Sequence, residues 1–224
     1  MTPDSPIAPE EQARADFHAV AARLLLRRPD GPFLAVLATA EPIGPALDGG
    51  PLPAAWENLV LAARTVPAEL AADEFAALFE ATGSPLIDPH ESKYLSGFMM
   101  EKPLATLRDD LACLGITRSG RASLPEDHLG ALCEVMRLLI LGGDGLPPQP
   151  LSRQRWFFER HLGGWTDRCL DDIAAAPPAN FYRRVAGFVR AFLALEREAF
   201  EMLGSDDDAS PGPIRAPLTR QDST

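Results

Sequence analysis

An all-α fold is predicted by three observations. The chain holds 34 Ala and 31 Leu against 7 Val and 7 Ile, a balance that favours helix over sheet. Apolar residues recur at steps of three and four along most of its length. No period-two segment extends beyond a few residues. With 224 residues, 46% of them hydrophobic and 24% charged, the chain can bury one sizeable core, and one compact helical domain over residues 10–203 is expected.

Residues 1–9 carry three prolines and no pattern, so they are expected to be disordered, and the first helix is placed from Glu10 through Phe17, Val20, Ala21, Leu24 and Leu25. Pro29-Asp30-Gly31-Pro32 stops it, and a short helix through Leu34, Leu37 and Ala38 follows. Arg27-Arg28 ahead of Phe33 to Ala38 imitates an export signal. The apolar run is too short for one, and Glu10, Glu11 and Asp16 sit in what would be its basic region. Four prolines and three glycines make 41–53 a loop.

Trp56, Leu59, Val60 and Ala63 mark the next helix, and Pro67 opens another carrying Leu70, Phe75, Leu78 and Phe79. Pro85 and Pro89 forbid a continuous helix from Ser84 to Ser92, leaving a structured connection. Leu104, Leu107, Leu111 and Leu114 form a helix that closes at Gly115. Ser123-Leu124-Pro125-Glu126 fits a capping box at the start of a helix through Leu129, Cys133, Met136 and Ile140. That helix is apolar on more than one face and is expected among others.

Gly142 to Gly145 ends it; no Gly-Lys-Ser/Thr follows and no strand precedes, so a phosphate loop is not supported. Trp156, Phe157, His161, Leu162 and Trp165 lie on a helical stretch broken at Gly163-Gly164. Phe181, Val185, Phe188, Phe192, Leu195 and Ala199 form the longest apolar stripe, on a final helix that should pack along its whole length. From residue 204 to 224, Ser205-Asp206-Asp207-Asp208 and three prolines leave nothing to bury, and a disordered tail is expected.

A net charge of −11 repels phosphate backbones and argues against nucleic acid, while it attracts a basic peptide. No run reaches the roughly 18 apolar residues of a membrane span, so stable membrane insertion is not expected. Cys113, Cys133 and Cys169 read as reduced core cysteines, which fits a cytoplasmic location. The four histidines share no ligand spacing, no Gly-x-Ser-x-Gly elbow is present, and no pattern calls for a resident cofactor or metal. Asp109-Asp110 and Asp171-Asp172 point about 100° apart on a helix and read as solvated surface.

Two short constellations carry a resemblance. Pro89-His90-Glu91-Ser92-Lys93-Tyr94 resembles the Pro-x-x-Ser-x-Tyr element, and Pro125-Glu126-Asp127-His128 the Pro-x-Asp-His core, of the TorD/DmsD family of redox-enzyme maturation chaperones. The stretch from Phe157 to Trp165, followed by Asn180-Phe181-Tyr182, is similar to the family as well. The resemblance implies a helical cytoplasmic chaperone, monomer or homodimer, that is not an enzyme. Such a chaperone binds the twin-arginine signal peptide and apo-form of a molybdopterin oxidoreductase until the cofactor is inserted. Many members have Glu ahead of the Pro-x-Asp-His core, where Leu124 stands here; the departure bears on which client is recognised.

Two guanidiniums followed by an apolar segment require carboxylates beside an apolar groove. Glu91, Glu126 and Asp127 are candidates for the first, and Tyr94, Phe98, Met99 and Met100 for the second, Met being adaptable. The candidate client-binding residues are therefore Pro89, Glu91, Ser92, Tyr94, Pro125, Glu126, Asp127 and His128. Two other readings stay open: Glu126 and Asp127 as helix caps with Tyr94 to Met100 as core, and a helical metal-dependent hydrolase built on Asp127 and His128 with Glu126 and His161 nearby.

Overall fold

The computed structural model describes residues 7–44, 50–80, 85–97, 102–116, 125–143 and 145–203. These form ten helices: α1 (Pro9–Leu26), α2 (Gly31–Ala38), α3 (Pro51–Thr65), α4 (Ala68–Phe79), α5 (Glu91–Ser96), α6 (Lys102–Cys113), α7 (Leu129–Leu141), α8 (Leu151–His161), α9 (Thr166–Ala175) and α10 (Phe181–Met202). Two isolated bridges, His90 with His128 and Gly143 with Leu146, are the only β pairing among the described residues. The all-α expectation holds. The expected tail, the first six residues, and Phe98, Met99, Met100, Ser123 and Leu124 lie outside the described residues.

Local chemistry accounts for the helix starts. Pro9 opens α1 with Glu10 and Glu11 in its first turn, where carboxylates complement the positive helix end. The Asp30 side chain accepts from Phe33 N at 2.8 Å and starts α2, so the Arg27-Arg28 pair ends one helix just before another. At α10 the N-terminal amides are served from a distance: Glu74 of α4 accepts from Asn180 N, Phe181 N and Tyr182 N at 2.8, 3.0 and 3.1 Å. Three otherwise orphaned donors thus tie two helices together.

α1 packs along α7, and α10 packs against α3 and α9 and touches α1, α4 and α8. Gly130 makes the first of these contacts possible, because a Cβ there would lie 2.7 Å from Leu26 Cγ. Phe17 joins α1 to α3 and α10, its ring centroid 5.2 Å from Trp56, 5.7 Å from Phe188 and 5.5 Å from Phe192. Buried residues on α10 run from Phe181 to Phe200, so the predicted stripe does pack along the helix.

Four local expectations need correction. Residues 51–53 belong to α3, because proline is tolerated in a first helical turn and Pro51 and Pro53 both fall there. Pro67 precedes α4 as its cap residue instead of lying inside it. α7 starts at Leu129, not at the capping box; Glu126 and Asp127 sit in a turn, and His128 is the cap, with Nδ1 accepting from Gly130 N at 3.1 Å. Cys133 and Cys169 are buried and their thiols are pushed up to about 12 by burial, whereas Cys113, the last residue of α6, is exposed.

Candidate functional site

The two motif segments are brought together by backbone pairing. Glu91 N donates to Asp127 O at 2.9 Å and Leu129 N to Pro89 O at 2.8 Å, around the His90–His128 bridge. Proline at 89 suits this role, since its carbonyl is used and it has no amide to leave unpaired. The Asp127 carboxylate then caps α5: Oδ2 accepts from Ser92 N at 3.0 Å and from Ser92 Oγ at 2.5 Å. Ser92 and Asp127 are both 0% exposed. Asp127 Oδ1 and His90 Nε2 have no hydrogen-bond partner and are buried at the same junction.

The remaining motif residues anchor this junction to three helices. Burial raises the Glu91 carboxyl, which receives a hydrogen bond from His161 Nδ1 of α8 at 3.2 Å. His161 Nε2 is 3.0 Å from Asp110 Oδ2 of α6, where Arg160 also donates at 2.5 Å. Glu126 accepts from Arg108 Nη2 at 3.0 Å, again on α6, and the Pro125 carbonyl receives His128 N at 3.4 Å. Burial, helped by the neighbouring His90 imidazole, pushes the His128 pKa down to about 3, so its ring stays a neutral acceptor for the α7 cap.

Tyr94 faces a different environment. Its ring stacks on Trp165 at 5.5 Å, and its hydroxyl donates to Asp172 Oδ2 of α9 at 2.9 Å. Arg168 lies 5.9 Å over the same ring and donates to the Tyr94 carbonyl. Beside it a groove of about 570 Å³ runs between the connection before α5 and the end of α9, lined by Leu86, Ile87, Asp88, Tyr94, Asp172 and Pro177 among others. Asp88 Oδ1 is 2.5 Å from His90 Nδ1, and that hydrogen bond holds the Asp88 carboxyl below the usual range.

All eight residues singled out from sequence lie on the two segments that meet at the junction, but only Tyr94 lines the groove. Pro89, Glu91, Ser92, Asp127 and His128 are buried behind it, while Pro125 and Glu126 are partly exposed. Sequence reasoning missed Asp88 and Asp172. Asp88 stands one residue before the first motif, which was its only signal; Asp172 was read as solvated surface, and only the approach of α9 to Tyr94 reveals it. The hydrolase reading gains no support. Asp127 Oδ2 and His128 Nδ1 both serve backbone caps, and no group of three or more His, Cys, Asp or Glu among the described residues is arranged to hold a metal ion.

The junction and the side of the groove from Pro85 to Tyr94 lie within the region matched by a family model, and Asp172 to Pro177 follow directly after it. The family model for the nitrate reductase delta subunit matches residues 47–171, which include both motif segments. The chaperone protein TorD of Aeromonas salmonicida (strain A449) is 30% identical over 170 residues, covering 73% of this chain and 74% of that protein. An all-helical fold, the paired motifs and these two matches agree: the chain belongs to the nitrate reductase delta subunit family, as a redox-enzyme maturation chaperone of the TorD/DmsD type.

Proposed function

We propose that this chaperone binds the twin-arginine signal peptide and apo-form of a molybdopterin oxidoreductase in the cytoplasm and holds it until the cofactor is inserted, turning over no substrate itself. The observation that carries the reading is the groove beside Tyr94, where carboxylates and apolar side chains share one concave surface next to the family motifs. A leader peptide requires both: acceptors for two guanidiniums, and an apolar face for the segment that follows them.

In this reading the buried members of the two motifs shape the site. Asp127 fixes the start of α5, Glu91 and His161 tie α5 to α8, and His128 sets the start of α7, so that Lys93 and Tyr94 are held in the groove wall. The net charge of −11 adds a long-range attraction for a basic leader. No helix among the described residues is long and apolar enough to cross a membrane, which suits a protein that meets its client before export.

Calorimetric titration with a synthetic twin-arginine leader tests the reading. Saturable binding is expected, weakening as salt rises and weakening further when both arginines become glutamine. Equal affinity for the two leaders would remove charge recognition from the account.

A further inference from the structure

The two carboxylates of the groove are not equivalent. Asp88 already has a close partner in His90 Nδ1 at 2.5 Å. Among the described residues Asp172 accepts only from Tyr94, through Oδ2, and burial raises the Tyr94 pKa, so this partner is a neutral donor. Among the described residues no cation is paired with Asp172. Arg168 stands four residues earlier on α9, the spacing at which a helical ion pair would form, yet its guanidinium donates to the Tyr94 carbonyl. The adjacent Asp171 is paired with Arg190. Lys93 lines the same groove and its ammonium reaches Gly97 O at 3.4 Å.

α9 therefore brings to an apolar groove one carboxylate whose Oδ2 is fixed by a phenol and whose Oδ1 has no hydrogen-bond partner among the described residues. A planar guanidinium matches that arrangement, because it offers parallel donors to a carboxylate and leaves its stem to lie on apolar surface. We propose that Asp172 is the specificity-determining carboxylate of the groove, pairing with one arginine of the leader while the apolar segment lies against Leu86, Ile87 and Pro177. Tyr94 is its positioning residue. The proposal rests on the leader-binding reading above and adds which side chain reads the charge. It assigns that role to a residue outside both family motifs.

The test is a set of titrations of the full chain with the leader and with leaders in which each arginine in turn is replaced by glutamine. The variants are Asp172→Asn, Tyr94→Phe and, as a control for net charge, Asp171→Asn. Asp172 is exposed, so the pair forms in partial contact with water and the expected loss for Asp172→Asn is modest, about three- to tenfold. Asp171→Asn should cost less than about twofold, since exposed ion pairs contribute little. The loss from Asp172→Asn should vanish with the leader lacking the partner arginine, and Tyr94→Phe should produce a smaller loss that vanishes with the same leader.

Equal losses for Asp171→Asn and Asp172→Asn, or losses that simply add to those of every arginine substitution, would overturn the assignment while leaving leader binding intact. If the unaltered chain binds all the leaders equally or none of them, the leader-binding reading fails first and the assignment fails with it. Circular dichroism of each variant confirms that the fold is retained, as expected for substitutions at the exposed Asp171 and Asp172 of α9 and for Tyr94→Phe, which keeps the ring that stacks on Trp165.

Discussion

Glu196 on α10 and Glu91 on α5 are both buried, 2% and 3% exposed, yet their carboxyls shift in opposite directions. Burial alone would raise Glu196, but hydrogen bonds from Arg14 at 2.7 and 2.8 Å and from His18 at 3.3 Å outweigh it and bring the carboxyl down to about 2. Glu91 has no arginine on its oxygens. Burial dominates over its single imidazole partner and raises it. A permanently charged, bidentate partner thus decides whether a buried carboxylate is held ionised. The difference also separates two parts of the molecule: the Glu196 cluster ties α1 to α10 in the body of the bundle, whereas Glu91 ties the motif junction to α8 through an imidazole.

The largest effect expected from this contrast is on stability. Glu196→Ala removes the buried acceptor shared by Arg14 and His18, leaving Arg14 only its partly exposed partner Glu11, and should cost about 3–5 kcal/mol, read from urea unfolding. Glu91→Gln, which keeps an acceptor for His161 and removes a disfavoured charge, should change stability at pH 7 by about 1 kcal/mol or less. Similar losses in the two variants would break the comparison.

Next in size is the dependence on pH. His128 is depressed from 6.5 to about 3, so its contribution is complete above pH 6.5 and is lost as pH falls, with a slope of about 1.4 kcal/mol per pH unit. Glu196, depressed from 4.5 to about 2, contributes stability above pH 4.5 that is lost as pH falls further. Glu91 has the opposite sign: its contribution is complete below its unfolded value of 4.5 and is lost as pH rises through its elevated folded value. Unfolding measured between pH 7 and pH 4 should therefore show a decline that His128→Asn flattens, since asparagine can still cap α7.

Asp127→Ala should cost about 1–3 kcal/mol, because Ser92 N and Oγ lose their buried acceptor. Asp127→Asn keeps one acceptor oxygen and should cost less. Removal of residues 205–224 should have the smallest effect, a melting temperature within a degree or two of the full chain, since that segment has no apolar periodicity to bury and chain ends contribute few contacts.

How legible each part was follows from how local its causes are. The α10 stripe and the break at Pro29-Asp30-Gly31-Pro32 between α1 and α2 could be read directly, because periodicity and turn chemistry depend on residues a few positions apart. The start of α7 could not: Ser123 and Glu126 match a capping box, yet Asp127 to Leu129 pair with a segment more than thirty positions earlier, a long-range contact that local pattern does not encode. The same limit applies to the site. The motifs identified the junction, but Asp172 looked like any solvated helix carboxylate until α9 was placed beside Tyr94. Glu74 as a remote cap for α10 was invisible for the same reason.

In the proposed function the chain holds a molybdoenzyme precursor through its leader. The most direct test is affinity purification of the full chain from its own cells, with the molybdoenzyme precursor present in its native form or with its leader removed. The precursor lacking cofactor should co-purify with the chaperone, and removal of the leader should sharply reduce its recovery. Recovery of no molybdoenzyme, or equal recovery with and without the leader, would contradict the account.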